Sequence, residues 1–379
     1  MPVLDLIITI FGILFTMSFI SGFSYLILIR EPFPNLRVTD NWNHYPKVTI
    51  ILPVRNEEKR IIPALESLRK LEYPDLEIIV VDGSSDDDTK AIASRYNFTV
   101  IDEGKLPNGW IGKVWGCWVG AEQATGDILL FTDADVKHRT DSLKLCVNHM
   151  LSNNIDALTL LTNQEAKSFW ERTMSVVLFM IFIASGGARK TRDPNSPISV
   201  ANGQYFIFRR DCYFSIGGHK TVYNNIVEDV ALAFELKKHG KKFEVISEPS
   251  IASTRMYQGG LPEMWEGWTK NMYRGALLFG PVQQLAALTI LLWGLGAPLI
   301  IISGFTINTL PVIALGLIGY LTLVITLNTF SRMIGEYPWY YSIIYPVGMT
   351  FFVFAFVYSC MRDMTGMGAV WRGRVYKKR

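Results

Sequence analysis

The run "LLFTDADV" is an apolar strand pattern that stops at Asp133, Ala134 and Asp135. Side chains alternate along extended backbone, so the outer carboxylates of a D-x-D leave from one side and can share one target. Hard oxygen donors of this kind suit Mg2+ or Mn2+, which keeps waters and completes its shell with substrate phosphates. Two solvated turn aspartates would leave the same trace. In "VVDGSSDDDT" another strand pattern ends at Asp82 and a helix opens after Asp88, while "ILPVRNEE" places Asn56 and Glu57 at a helix start. Asn56 and Asp88 read as N-caps. Asp82, the last residue of a strand of the buried type, needs a partner such as a base or ribose hydroxyl of a bound nucleotide. Acidic strand ends bind phosphate poorly without cations, and "LPNGWIGKVWG" supplies Lys113 in a Gly-rich loop ahead of a helix. Glu228 and Asp229 open an amphipathic helix in "NNIVEDVALAFELKKHG". Acids are at home in a first helical turn, and one aimed back at the sheet edge would serve as general base for an attacking hydroxyl.

The missing patterns narrow the chemistry. Neither GxxxxGK[ST] nor GxGxxG occurs, which argues against P-loop nucleotide hydrolysis and against NAD or FAD chemistry. His138, His149, His219 and His239 lack HExxH or other ligand spacing. Cys117, Cys146, Cys212 and Cys360 make no CxxC pair and read as buried or lipid-facing thiols in a reducing compartment. A net charge of +3, scattered along the chain, offers no nucleic-acid surface.

The elements that must position these residues form a polar middle between membrane regions. Of 379 residues, 49% are hydrophobic and only 19% charged, against about 25% charged in ordinary soluble proteins. Leu4 to Ile29 is apolar and long enough to cross a bilayer, and so are about Gln284 to Gly304, Leu310 to Leu327 and Tyr341 to Met361. Tyr45 to about Arg274 alternates short β-branched runs with helical ones, the pattern of an α/β domain on a largely parallel sheet. Its strands are expected at "KVTIILPV", "LEIIVVD", "FTVID" and "DILLFTD", with helices near Glu57–Leu71, Thr89–Tyr96, Val114–Ala124 and Ser142–Leu151. Phe169 to Ala184 is too short and too polar at its start for a crossing, and is expected on the membrane surface or packed in the core. The expected division is an anchor at 1–30, a catalytic domain at 45–275 with an interfacial helix at 168–185, C-terminal spans at 276–362 and a basic tail at 363–379.

The order of these motifs resembles the family 2 glycosyltransferases of GT-A fold: Asp82 at a strand end, then Asp133-Ala134-Asp135, then Glu228-Asp229, then a Trp-rich amphipathic stretch leading into spans. The strings "LPNGWIGKVWGCWVGAEQATGDILLFTDADVKH", "NGQYFIFRRDCYFSIGGH" and "VEDVALAFELKKHG" are similar to the membrane-bound branch that glycosylates polyisoprenoid-type lipids, including hopanoid-associated and diaponeurosporenoate glycosyltransferases. The ceramide glucosyltransferases, through "WRGRVY", are a more distant likeness. The resemblance implies that Pro53, Glu57 and Asp82 hold the nucleoside, with Lys113 and Asp133 near the ribose and diphosphate. It makes Asp135 the metal ligand and Asp229 the base, with Glu228 beside it. The family's Q/R-x-x-R-W element is partly matched: Trp268 stands for its Trp, but Gly267 occupies the place of its Arg. Diphosphate or acceptor contacts then fall to Arg255 or Lys270, in a region that includes Trp265. Gly83 stands where many members carry a second Asp.

The resemblance and the residues together imply an inverting, Mg2+- or Mn2+-dependent transfer of one sugar from a nucleotide-sugar to a lipid acceptor at the membrane. A processive polysaccharide synthase shares the acidic elements but needs more spans. A non-catalytic sugar-binding membrane protein would lack a core carboxylate, and a transporter would carry its acids inside the spans. Nucleotide-sugars are cytosolic, so the catalytic domain is expected in the cytoplasm, with the N-terminus outside a cell membrane. Arg30, Arg37 and Lys47 fit that orientation, but three late spans would put the basic tail outside, against the positive-inside rule, unless one segment is re-entrant or interfacial.

Overall fold

Strands covered on both faces need unbroken apolar runs, and β1 (Val48–Val54), β2 (Leu76–Asp82) and β4 (Ile128–Thr132) have them, with β3 (Thr99–Asp102) more exposed at one edge. The computed structural model describes residues 12–24, 33–37, 44–184, 187–193, 195–196, 199–332, 335, 337–367, 369–371 and 374–376. Its chain divides into two compact units, one of residues 32–165, 190–256 and 368–379, the other of residues 1–31, 166–189 and 257–367.

The first unit is built on a seven-stranded mixed sheet, completed by β6 (Ala157–Leu161), β8 (Tyr205–Arg209) and β9 (Phe243–Ser247), in the order β3-β2-β1-β4-β8-β6-β9. Only β8 runs antiparallel to its neighbours, β4 and β6. This is the GT-A arrangement, with β1 to β4 where the sequence patterns place them. A smaller sheet joins β5 (Val136–His138), β10 (Ala252–Thr254) and β7 (Asn163–Gln164). Helices α2 (Ile61–Arg69), α3 (Thr89–Ala93), α4 (Gly112–Gln123) and α5 (Ser142–Ser152) fall in the expected segments, α3 and α5 starting at the expected residues and α2 starting about a turn late. One core joins β1, β2, β4 and α2 through Ile50, Leu52, Ile61, Leu65, Val80 and Leu130, all fully buried and each contributing about 1.5–3 kcal/mol. Later come α8 (Arg210–Ser215), α9 (Gly218–Thr221), α10 (Glu228–Lys238) and the hairpin β11 (Ala369–Trp371) and β12 (Arg374–Tyr376).

The second unit is helical: α1 (Gly12–Ser24), α6 (Phe169–Ala184), α11 (Leu261–Leu277), α12 (Pro281–Thr306), α13 (Leu310–Ser331), α14 (Tyr340–Ile343) and α15 (Tyr345–Met364), with α7 (Gly187–Arg192) at the division between units. Three of these, α12, α13 and α15, are long and apolar enough to cross a membrane and answer the three late apolar runs. Of the N-terminal run, α1 is the described part; residues 1–11 and 25–32 lie outside the described residues. The hairpin α12–α13 packs closely: a Cβ on Gly304 would come within 2.7 Å of the Ile313 backbone, and one on Gly316 within 2.8 Å of the Ile301 backbone. Small residues at such seams let helices approach where no hydrophobic drive separates lipid from leucine. Outward, Leu285, Leu292, Leu299, Ile302 and Ile325 are exposed, as lipid-facing side chains are.

Helix α6 opens on a capping box: Glu171 N–H donates to Ser168 Oγ at 3.2 Å, and Ser168 N–H to Glu171 Oε2 at 2.6 Å. Met174, Val176 and Val177 then bury in one core with Met264, Trp293 and Phe352, so α6 is a packed helix of the membrane unit. Residues 166–189 and 257–275 therefore group with the spans rather than with the α/β unit, because their apolar faces are buried there.

Candidate active site

The ends of β1 and β2 are stitched to each other. Asn56, with φ at +53°, accepts the Asp86 N–H on Oδ1 at 2.9 Å and donates its own N–H to Ser85 Oγ at 3.1 Å. Asp87 accepts the N–H groups of Glu58 at 3.2 Å and Thr89 at 3.0 Å, and Arg55 donates to the carbonyls of Gly83 and Ser84. The capping expected of Asn56 and Asp88 is absent: α2 starts after Arg60, α3 after Asp88, and neither has a side-chain cap bond. Asp87 serves the α3 start instead, because its carboxylate reaches two residues ahead. Glu57 is partly buried 3.2 Å from Arg60. Pro53 pairs with Val81 in the β1–β2 register. Asp82 is 2% exposed; its Oδ2 accepts the Ser85 N–H at 3.0 Å, and its Oδ1 is buried without a hydrogen-bond partner. Sequence reasoning missed Glu103, a second buried acid just past β3, whose N–H donates to the Asp82 carbonyl at 2.9 Å. Its Oε2 lies 3.3 Å from where a Cβ on Gly83 would stand, so it occupies the space beside that departure from the family pattern.

At the end of β4, Lys113 gathers the remaining acids. It sits in the first turn of α4 rather than in the preceding loop, a position where the helix dipole disfavours a cation. Two carboxylates offset this: Nζ is 2.7 Å from Asp133 Oδ1 and 2.9 Å from Glu228 Oε1. Burial works against the ammonium, but Asp133 and Glu228 outweigh it and hold the Lys113 pKa well above its ordinary value. Burial would raise Glu228, and Lys113 more than reverses that. Asp229 is held by backbone N–H groups instead. Its Oδ2 accepts the Gly203 N–H at 2.9 Å and its Oδ1 the Val230 N–H at 2.8 Å. Burial and the neighbouring Glu228 charge push its pKa up to about 6. A Cβ at residue 203 would stand 3.2 Å from Lys113 Nζ and 3.4 Å from Asp229 Oδ2, so a side chain there would crowd both groups. Its loop is held by Asn202, whose Nδ2 donates to Leu160 O at 2.9 Å and to Thr162 Oγ1 at 3.2 Å. The string "NGQYF" carried that signal, and the sequence reading gave its Asn and Gly no role.

Asp133 and Asp135 lie in a tight turn between β4 and β5, closed by Val136 N–H to Asp133 O at 3.2 Å, and not on extended backbone. The same-side argument from strand periodicity therefore does not apply. The carboxylates still feel each other: burial and Asp133 push Asp135 up to about 6, with Lys113 and the Thr254 hydroxyl pulling the other way. Asp135 Oδ1 is buried with no hydrogen-bond partner. An orphaned hard oxygen beside a second carboxylate fits a divalent cation. No cluster of three His, Cys, Asp or Glu exists among the described residues, so the protein would supply few ligands, as Mg2+ and Mn2+ tolerate and structural zinc does not. Arg255 follows β10, and β5 follows Asp135; with Val136 opposite Thr254, both residues continue the same end of that ladder.

Trp265, Trp268 and Lys270 belong to α11 in the membrane unit. Trp268 is 3% exposed, edge-on to Phe351 at 5.6 Å and Phe352 at 6.2 Å, and Trp265 meets Phe351 and Tyr358 at 5.4 Å. Arg274 Nε, 2.9 Å from Asp363 Oδ1, closes the seam between α11 and α15.

Residues 49–214 match the model of the glycosyl transferase family 2. The chain is similar to 4,4'-diaponeurosporenoate glycosyltransferase of Staphylococcus aureus strain MRSA252, 28% identical over 349 residues that cover 89% of this chain and 90% of the relative. The protein of that name from strain USA300 is 29% identical over 354 residues, with the same coverage. Among solved structures, mannosyltransferase PcManGT from Pyrobaculum calidifontis, in complex with GDP-Man and Mn2+, superposes with a TM-score of 0.57 at 14% identity, over 94% of this chain and 99% of that one.

Proposed function

This chain belongs to glycosyl transferase family 2, and from that premise we propose that it is an inverting, metal-dependent enzyme that moves one sugar from a nucleotide-sugar to a lipid acceptor at the membrane surface. The observation that carries the reading is the single ammonium of Lys113 held between Asp133, at a strand end, and Glu228, at a helix start, with Asp229 beside them on Gly203. Ligands in open α/β sheets lie beyond the strand ends, and a donor nucleotide there would meet Pro53, Glu57 and Asp82 with its nucleoside and Lys113 and Asp133 nearer its diphosphate. Asp135 and Asp133 would hold Mg2+ or Mn2+, which supplies charge stabilisation for a departing diphosphate. Arg255 is the side chain we assign to the diphosphate in place of the family Arg.

Asp229 has the two properties of a general base: a fixed orientation and a pKa near the operating pH. It takes the proton of an acceptor hydroxyl while the oxygen attacks the anomeric carbon and the diphosphate leaves from the opposite face. One displacement inverts the centre. The relatives' name points to an alternative nucleophile, a carotenoid-type carboxylate, which arrives deprotonated and which Asp229 would orient without accepting a proton. Trp265 and Lys270 on α11 are proposed to meet lipid headgroups, and the catalytic unit to face the cytosol. The test supplies membranes containing the protein with radiolabelled UDP- and GDP-sugars and total host lipid, then separates the lipids. Label in one lipid class with one donor supports the reading; label in none of them with any donor, from protein that still binds nucleotide, sinks it.

A further inference from the structure

Two successive glycines, Gly217 at φ +78° and Gly218 at φ +52°, turn the chain after α8 through backbone that favours glycine. A Cβ on Gly218 would stand 2.5 Å from the Tyr213 ring. The turn brings His219 back against its own preceding helix. Its backbone N–H donates to Tyr213 Oη at 3.0 Å, and its ring Nδ1 lies 2.8 Å from the same oxygen. Among the described residues the Tyr213 hydroxyl bonds only His219. Having accepted the backbone proton, it has one proton to give and one acceptor to take it. Nδ1 accepts, so the neutral ring carries its proton on Nε2. His219 is 3% exposed and packs on Phe131 at 4.6 Å between ring centroids, and burial pushes its pKa down to about 3, so it stays neutral at physiological pH.

Nε2 has no hydrogen-bond partner among the described residues. His219 lines a small cavity together with the polar residues Lys113, Asp133, Glu228 and Asp229 and the apolar residues Phe131 and Phe206. The cavity has room for about one water, whose polar partners would be this donor and the carboxylates that share the lining. We propose that His219 is a positioning residue: through one water in this cavity its Nε2–H steadies Glu228 against Lys113, and so fixes the ammonium that Asp133 shares. The effect on rate rests on the sugar-transfer reading of the site, while the tautomer and the contact with Glu228 do not.

Two measurements follow, and the first needs no activity. In 15N spectra of histidine-labelled protein in bilayers, His219 should be a neutral Nε2–H ring that does not titrate between about pH 5 and 8. Tyr213→Phe should free Nδ1 and change the tautomer balance, and Glu228→Gln should shift the Nε2 signal. A ring protonated on Nδ1, a ring that titrates in this range, or an Nε2 signal indifferent to Glu228→Gln overturns the proposal. The second is kinetic: His219→Leu and Tyr213→Phe should each lower kcat/KM for the donor by about tenfold or more, the scale of one hydrogen bond to a charged group. His219→Gln, whose amide N–H can stand near Nε2, should recover most of the loss. Equal failure of the Gln and Leu variants, with both folded to the wild-type melting temperature, shows a space-filling residue instead. A wild type that transfers no sugar defeats the functional reading and leaves the spectra to decide the role of His219.

Discussion

Two stretches of one sheet edge treat their acids in opposite ways. Where β1 and β2 finish, Asn56, Asp82 and Asp87 accept backbone N–H groups of the two loops, and the bonds of Asp87 to Thr89 and Glu58 outweigh burial to hold its carboxyl below its ordinary value. Where β4 finishes, Asp133 and Glu228 hold one ammonium, and Asp135 and Asp229 nearby are pushed up to about 6. At the first end charge is consumed in holding a shape. At the second, negative charge exceeds what the protein neutralises, which is the condition for holding a cation and handling a proton. The first end is built to bind and the second to react.

The comparison breaks most visibly at the reactive end. Asp135→Ala should abolish transfer, and chelation with EDTA should do the same to the wild type; full turnover in EDTA, or by the folded variant, removes the metal role. Lys113→Met should come next, with transfer reduced roughly 10²-fold through loss of two charge-assisted bonds, and single-turnover assays with saturating donor would measure it. A smaller and graded effect is expected from pH. Glu228 and Lys113 are the charged groups facing Asp229, and its raised pKa means that protonation removes the base as pH falls through about 6. For a hydroxyl acceptor kcat/KM should fall about tenfold per unit below that point; an acid limb near the ordinary carboxylate range would mean that Asp229 is not the titrating base. At the binding end the mildest result is expected: Asp82→Asn should weaken nucleotide binding by about tenfold with little change in kcat, and a drop in kcat at unchanged Kd would erase the distinction between the ends.

Much of this arrangement was legible in the chain. "VTIILPV", "LEIIVVD" and "ILLFT" have the continuous apolar character of parallel strands; the second ends in Asp82, and Asn56 and Asp133 come just after the first and the third. β6, β8 and β9 were not legible, because five-residue apolar runs such as "ALTLL" suit a buried helix as well as a strand, and only pairing across the sheet decides. Single-residue roles were partly visible. The types of Asp133, Lys113, Glu228 and Asp229 mark them, but that Lys113 joins Asp133 to Glu228 depends on contacts between distant parts of the chain. The capping box at Ser168 and Glu171 stood in the sequence as S-x-x-E, whereas the partners that bury α6 and Trp268 are supplied by helices much later in the chain. Glu103 gave little sign, since one acid after an edge strand looks like any turn residue.

The central claim, that Asp229 is the base of a one-displacement sugar transfer at the Lys113 cluster, is tested most directly by comparing wild type with Asp229→Asn in the same membranes. Labelled lipid formed per unit time is measured at equal occupancy by donor, with a hydroxyl acceptor. The account predicts donor binding nearly unchanged and transfer slower by ~10²-fold or more. Transfer by Asp229→Asn at the wild-type rate, or a larger loss in Glu228→Gln than in Asp229→Asn, would contradict it.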